Sequence, residues 1–226
     1  MTRPLPITVV SDVICPWCFI GKRRLERAIA LRPQYDVQVR WHPFFLNDWV
    51  PREGMARADY LTAKFGSVER YRQMAERIQQ AAAAEGLDYQ LDKIARQPNT
   101  LDCHRLILWA GREGRAAEMK QRLMDLYFTE GGDLTDREVL VAAAAACGLD
   151  PDTVRNALAG EADVALVTQA AEQAKRAGID GVPCFIIGNV LAVSGAQAPD
   201  YLAGAMDRAV TELEKNRDAD GHPASP

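Results

Sequence analysis

The chain has 226 residues, 48% of them hydrophobic and 26% charged, with 27 basic against 31 acidic side chains for a net charge of −4. These values exclude collagen-like, disordered and coiled-coil chains, and at this length about 70% of the unfolded surface can be buried without covalent staples. The densest basic stretch, Lys22–Arg27, is broken by Leu25 and Glu26, so neither nucleic acid nor an anionic membrane is an expected partner. The start of the chain lacks the charged, apolar and small-residue segments of a secretory signal, and no window approaches the length of a membrane span; the sequence reads as cytoplasmic.

Ile7–Val10 is a β-branched run preceded by Pro4 and Pro6, which cannot donate to a ladder, so the first strand is predicted over about Ile7 to Ser11. Beyond Cys15-Pro16-Trp17-Cys18, apolar residues recur at helical spacing through Phe19, Ile20, Leu25, Ala28 and Leu31 until Pro33. Val37–Trp41 then alternates in the strand period and Pro43 closes it, completing a β-α-β unit. From Asn47 to Gly178 the signals are helical: Val68, Tyr71, Ala75, Ile78 and Ala82 share one face, Asn99 or Thr100 can cap a helix through Leu106–Trp109, and Thr135-Asp136-Arg137-Glu138 has the form of a capping box. A stripe from Val164 to Ala174 stops at Gly178. Two apolar runs, Cys184–Ile187 and Val190–Val193, flank Gly188-Asn189 as in a tight hairpin, and an amphipathic helix runs from Pro199 to about Lys215. The order predicts an α/β fold in which residues 1–46 and 161–215 form one domain, residues 47–160 an inserted helical subdomain, and residues 216–226 a frayed tail.

The five cysteines are an odd count and, apart from Cys15 and Cys18, widely spaced, which is a poor disulfide framework. In disulfide exchange the thiolate is the nucleophile, so a reactive cysteine needs a local source of positive potential. Cys15 falls where a strand hands over to a helix, where unpaired backbone amides and the positive end of the dipole supply it. Cys18 lies one turn further in on the same face, able to close a small ring. Cys15 is therefore assigned as the attacking, solvent-reachable thiol and Cys18 as the buried resolving one. A zinc site would need two further ligands at matching spacing; Cys103-His104 are adjacent and Cys147 and Cys184 isolated, so no metal is expected. Pro16 fits the first helical turn, and Trp17 is either packed or part of a substrate surface. Asp12 is a proton acceptor through water, a cap or a turn residue; His42 is a weak catalytic candidate, and His104, on an apolar helix, reads as a hydrogen-bonded core histidine.

The segments DVICPWCFIGKRRLE (Asp12–Glu26), PNTLDCHRL (Pro98–Leu106), GIDGVPCFII (Gly178–Ile187) and AVSGAQ (Ala192–Gln197) together resemble the FrnE-like branch of the DsbA family, over nearly the whole chain up to the tail. The resemblance implies a thioredoxin-like fold with a helical insertion and a dithiol–disulfide oxidoreductase. It also implies a cis peptide at Val182-Pro183 beside the cysteines, with the Val182 backbone pairing with an extended substrate and Pro183 shielding the thiols from metal. The sequence departs from that branch at Cys103 and Cys184, where alanine and phenylalanine are common. The same architecture serves hydroxychromene carboxylate isomerases and kappa-class glutathione transferases, which carry serine at the first cysteine position; Cys15 argues against that reading. Ser194 and Gln197, in a turn whose amides suit a carboxylate, and Asp12 are candidate substrate-binding residues. The expected partners are disulfide-containing proteins or small-molecule thiols, with no tightly bound cofactor and glutathione left open as a co-substrate. A redox-controlled chaperone using the helical block is the non-enzymatic alternative.

Overall fold

The computed structural model describes residues 2–219. Strand β1 (Arg3–Ser11), helix α1 (Pro16–Ala30) and strand β2 (Tyr35–Pro43) open the chain. A helical block follows: α2 (Arg57–Phe65), α3 (Val68–Ala84), α4 (Leu101–Arg112), α5 (Ala116–Asp125), α6 (Arg137–Ala146), α7 (Pro151–Ala159) and α8 (Val164–Arg176). Two short strands, β3 (Met55–Ala56) and β4 (Arg96–Gln97), pair antiparallel within it. Strands β5 (Cys184–Ile187) and β6 (Leu191–Ser194) and helix α9 (Pro199–Ala219) complete the chain.

The main sheet has the order β2-β1-β5-β6, with β1 and β2 parallel and the other pairs antiparallel. Alternation along β1 sends Leu5, Ile7 and Val9 into a core with Leu25 and Ala28 of α1, Phe185 and Ile187 of β5, and Leu202 and Met206 of α9. On the other face Val10 packs with Phe44, Cys184 and Ala174 of α8. A third cluster joins Cys15, Cys18, Phe19 and Ile20 of the β1–α1 region to the helical block, where the Phe19 ring stacks on Phe128 at 5.2 Å. The dithiol thus lies at the seam between sheet and helical block.

The structure corrects several expectations. Strand β1 begins at Arg3, not Ile7, and includes both prolines, because β5 pairs only with Ile7–Val10 and leaves Pro4 and Pro6 in a stretch with β2 alone as a neighbour. The α6 cap is shifted by one residue: Asp136 accepts from the Glu138 amide at 2.8 Å, while the Thr135 hydroxyl bonds Asp133. Helix α9 runs four residues past the expected end, so residues 216–219 of the anticipated tail are helical and 220–226 lie outside the described residues. The β3–β4 pairing carried no two-residue period long enough to read. At the hairpin, Gly188 (φ 61°) and Asn189 (φ 58°) both take the left-handed conformation that a tight turn demands.

Arg105 shows how the block is tied together. It is fully buried, yet it donates to the carbonyls of Ala157 (2.6 Å), Gly160 (2.8 Å) and Ala162 (2.7 Å) and to Asp102 (2.7 Å), clamping the α7–α8 turn to α4.

Gly21 lets α1 approach the segment that precedes β5: a Cβ there would stand 2.9 Å from Pro183 Cγ and 3.3 Å from Phe185 Cζ. Alanine adds up to ~1 kcal/mol of helix propensity, but forcing a methyl against a proline ring costs about 1–3 kcal/mol. Gly21→Ala is expected to lower the urea midpoint; a raised midpoint would contradict the packing described here.

Candidate active site

Cys15 is the residue that caps α1. Its backbone is extended (φ −87°, ψ 113°), its sulfur accepts the Cys18 amide at 3.3 Å, and its carbonyl accepts from the Cys18 and Phe19 amides at 2.9 and 3.1 Å. Pro16 occupies the start of the helix, and no acidic residue in the first turn offsets the positive end of the dipole. The Val182-Pro183 peptide is cis, and the Cys15 thiol lies 3.5 Å from the Val182 carbonyl. The chain therefore brings together Cys15, Pro16, Cys18, Val182 and Pro183 from two segments 167 residues apart. Trp17 is 39% exposed beside them.

One expectation needs correction. Cys15 is nearly covered and no more open than Cys18: both thiols are unbridged and each is only 2% exposed. The Val182 segment and the helical block cover Cys15, a covering invisible to local sequence. Burial, then the bond to Cys15, pushes Cys18 well above the ordinary thiol range, with Lys120 opposing.

Asp12 is also relocated. It is fully buried and cannot touch a substrate as placed; one oxygen accepts the Val13 amide at 2.7 Å and lies 3.2 Å from His104 Nε2, and the other accepts the Leu46 amide at 2.9 Å. Burial alone would raise its pKa, but the His104 hydrogen bond, the Leu46 amide and Lys120 together hold it below the ordinary carboxylate value. His104 is the buried, hydrogen-bonded histidine expected; burial depresses its pKa, so the neutral ring donates Nε2–H to the Asp12 carboxylate.

Two lysines escaped the sequence reading. Lys64 of α2 bonds Asn47, and its ammonium, depressed by burial, feels the charges of Cys15 and Asp12. Lys120 of α5 is 1% exposed, likewise depressed by burial, and opposed by Cys18, Asp12, Cys15 and Cys103. The signal for Lys120 was its place on the apolar stripe Ala116, Lys120, Leu123, Tyr127.

Ser194 ends β6, exposed, and its carbonyl accepts from Gln197 at 2.9 Å. The Gly195 amide donates to Pro183 O (2.8 Å) and that of Gln197 to Gly195 O (2.9 Å), so two of the amides expected to hold a carboxylate are already engaged. The turn instead braces Pro183, with Arg24 reaching the Ala196 carbonyl at 2.6 Å. His42 turns Nδ1 to the Pro43 carbonyl at 3.1 Å. Cys103, Cys147 and Cys184 are buried thiols whose pKa values burial raises.

A dithiol at a helix start facing a cis-proline in a mixed sheet defines a thioredoxin-fold redox protein. The DSBA-like thioredoxin domain model matches residues 6–207, and the chain belongs to that family. It is 26% identical over 212 residues to the uncharacterised Bacillus subtilis protein YwbO, covering 93% of this chain and 98% of that one. Among solved structures it is similar to a probable DsbA oxidoreductase of Streptomyces coelicolor, with 31% identity, 98% of this chain and 93% of that one covered, and a TM-score of 0.86. The glutathione-bound cytosolic disulfide reductase DsbM of Pseudomonas aeruginosa shares the fold at 20% identity, with 93% and 98% covered and a TM-score of 0.61. A 2-hydroxychromene-2-carboxylate isomerase does so at 17%, with the same coverage and a TM-score of 0.68.

The pH response of the Asp12–His104 pair has a defined sign. An unfolded histidine takes up a proton near pH 6.5, whereas folded His104, its pKa lowered, resists it; stability therefore falls as pH drops from about 6.5 toward the folded pKa. Asp12, also lowered, adds a further loss below about pH 4. Urea midpoints between about pH 7.5 and about pH 5 should fall more steeply for the native chain than for His104→Gln; parallel curves would contradict the buried neutral assignment.

Proposed function

We propose that the protein is a thiol–disulfide oxidoreductase working through Cys15 and Cys18. The observation that carries this reading is the Cys15 sulfur at the α1 cap, receiving the Cys18 amide at 3.3 Å under the Val182 carbonyl and next to cis Pro183. In the reducing direction Cys15 thiolate attacks one sulfur of a substrate disulfide and the other sulfur leaves as thiolate. Cys18, once deprotonated, then attacks the Cys15 sulfur of the mixed disulfide and releases the second substrate thiolate. Two electrons pass from the protein dithiol to the substrate, and the two protons end on the released thiols. The oxidising direction is the reverse.

The residues around the pair fit these steps. The amide of Cys18 and the dipole of α1 favour negative charge on Cys15, and Lys64 adds a cation within electrostatic reach. Burial keeps Cys18 protonated until the mixed disulfide forms, so it is the resolving thiol. The Val182 backbone, half-buried above Cys15, offers an extended substrate main-chain hydrogen bonds. The reaction requires no tightly bound cofactor, and glutathione serves as a co-substrate where a small disulfide is the target. The substrates are disulfides of proteins or small molecules, and the setting is cytoplasmic, a reading supported by the cytosolic Pseudomonas aeruginosa reductase of the same fold. No helix among the described residues is long and apolar enough to cross a membrane.

Insulin reduction by dithiothreitol tests the assignment. Cys15→Ser should reduce the catalysed rate by about a hundredfold or more. Cys18→Ser should stall as a mixed disulfide on Cys15. Catalysis that survives Cys15→Ser would overturn the proposal, and a glutathione-transfer activity that survives Cys18→Ser would move it to the isomerase or transferase class.

A further inference from the structure

A cavity of about 530 Å³ opens between β2 and helices α4, α5 and α8. Its size falls in the roughly 300–1,000 Å³ range of small-molecule sites. None of Cys15, Trp17, Cys18, Val182 or Pro183 lines it, so it is separate from the dithiol face. Trp41 of β2, Ile107 and Leu108 of α4, and Leu166 and Val167 of α8 form apolar walls.

The ionisable residues in the lining are all of the basic type. Arg40, His42, His104, Arg112 and Lys120 border the cavity, and no Asp or Glu does, in a chain whose net charge is −4. Arg40 and Arg112 are exposed and lie at the mouth, where Arg112 is engaged by Asp163 at 2.8 Å. His104 presents a neutral ring whose Nε2 faces Asp12, and Asp12 itself is fully buried outside the lining.

Lys120 is the telling group. It is 1% exposed and its ammonium lies over the Trp41 ring at 5.8 Å from the centroid, but it has no hydrogen-bond or ion-pair partner among the described residues. An ammonium has three donors, and the Lys120 nitrogen is not among the fully buried side-chain atoms left unpartnered, so it keeps an opening to the cavity. Asp12, the carboxylate that acts on it, does so through space without supplying a hydrogen bond. A buried cation with open donors at the wall of an apolar, carboxylate-free cavity is complementary to an anionic head attached to an apolar body.

We propose that this cavity binds an organic monoanion, its carboxylate or sulfonate head on Lys120 and its apolar ring or chain between Trp41 and Leu166. The site goes beyond the disulfide-exchange reading and does not depend on it. Two fluorescent probes that share an apolar body separate head from body: 8-anilinonaphthalene-1-sulfonate carries the anion, and N-phenyl-1-naphthylamine lacks it.

The native chain should bind one equivalent of the sulfonate about tenfold or more tightly than the neutral probe, and decanoate should displace it. Lys120→Met should remove that preference while keeping the neutral probe. Leu166→Glu, at a position 49% exposed and so tolerant of the change, should weaken the sulfonate and spare the neutral probe; it keeps the test open if Lys120→Met fails to fold. Equal affinity of the two probes for the native chain, or a preference that survives Leu166→Glu, would overturn the proposal.

Discussion

A single buried carboxylate holds the dithiol turn in place. Asp12 receives the Val13 amide, the Leu46 amide and the His104 ring, so the turn between β1 and α1, the segment after β2, and α4 converge on two oxygens. The Asp12 carbonyl meanwhile lies 3.4 Å from the Cys15 amide it accepts. Each hydrogen bond to a charged group contributes about 1.5–3 kcal/mol, and an unpaired carboxylate at full burial would be prohibitive. The geometry at Cys15 follows from this staple, because the residue that caps α1 is fixed at both sides, by Asp12 before it and by the helix after it.

From that fixed turn the two sulfurs acquire different chemistry. A helix start contributes about 0.3–1 kcal/mol to an adjacent negative charge, up to ~2 kcal/mol when partly buried. Full burial acts in the opposite sense and can reach several pKa units. Cys18, inside the first turn and walled by the helical block, is pushed up by burial, and Cys15 caps the helix start. Lys64 and Lys120 approach the pair from α2 and α5, so the helical block contributes to the electrostatics of the dithiol as well as to its cover.

The parts that were legible in the sequence are those with local causes. The cysteine pair at a strand-to-helix handover, the alternation of Val37–Trp41, the Gly188-Asn189 turn and the stripe of α8 all carry their signal within a few residues, and each lies where it was expected. The resemblance to the DsbA family supplied the cis peptide at Pro183, which spacing alone could not. What stayed hidden depends on distant chain. Asp12 and His104 are 92 residues apart, so the carboxylate looked free to meet solvent or substrate. Burial of Cys15 comes from Val182 and the helical block, and β1 accommodates Pro4 and Pro6 only because β5 stops short of them. Lys120 was readable in principle, as a charge on an apolar stripe, but helical periodicity gives no hint of what such a charge faces.

The central claim is the division of labour between the two thiols, and alkylation kinetics address it most directly. Brief exposure to iodoacetamide over a range of pH, followed by mass spectrometry of the digested chain, reports which sulfur reacts first. Modification of Cys15 ahead of Cys18 at every pH near neutrality is the predicted result; preferential labelling of Cys18 would contradict the account.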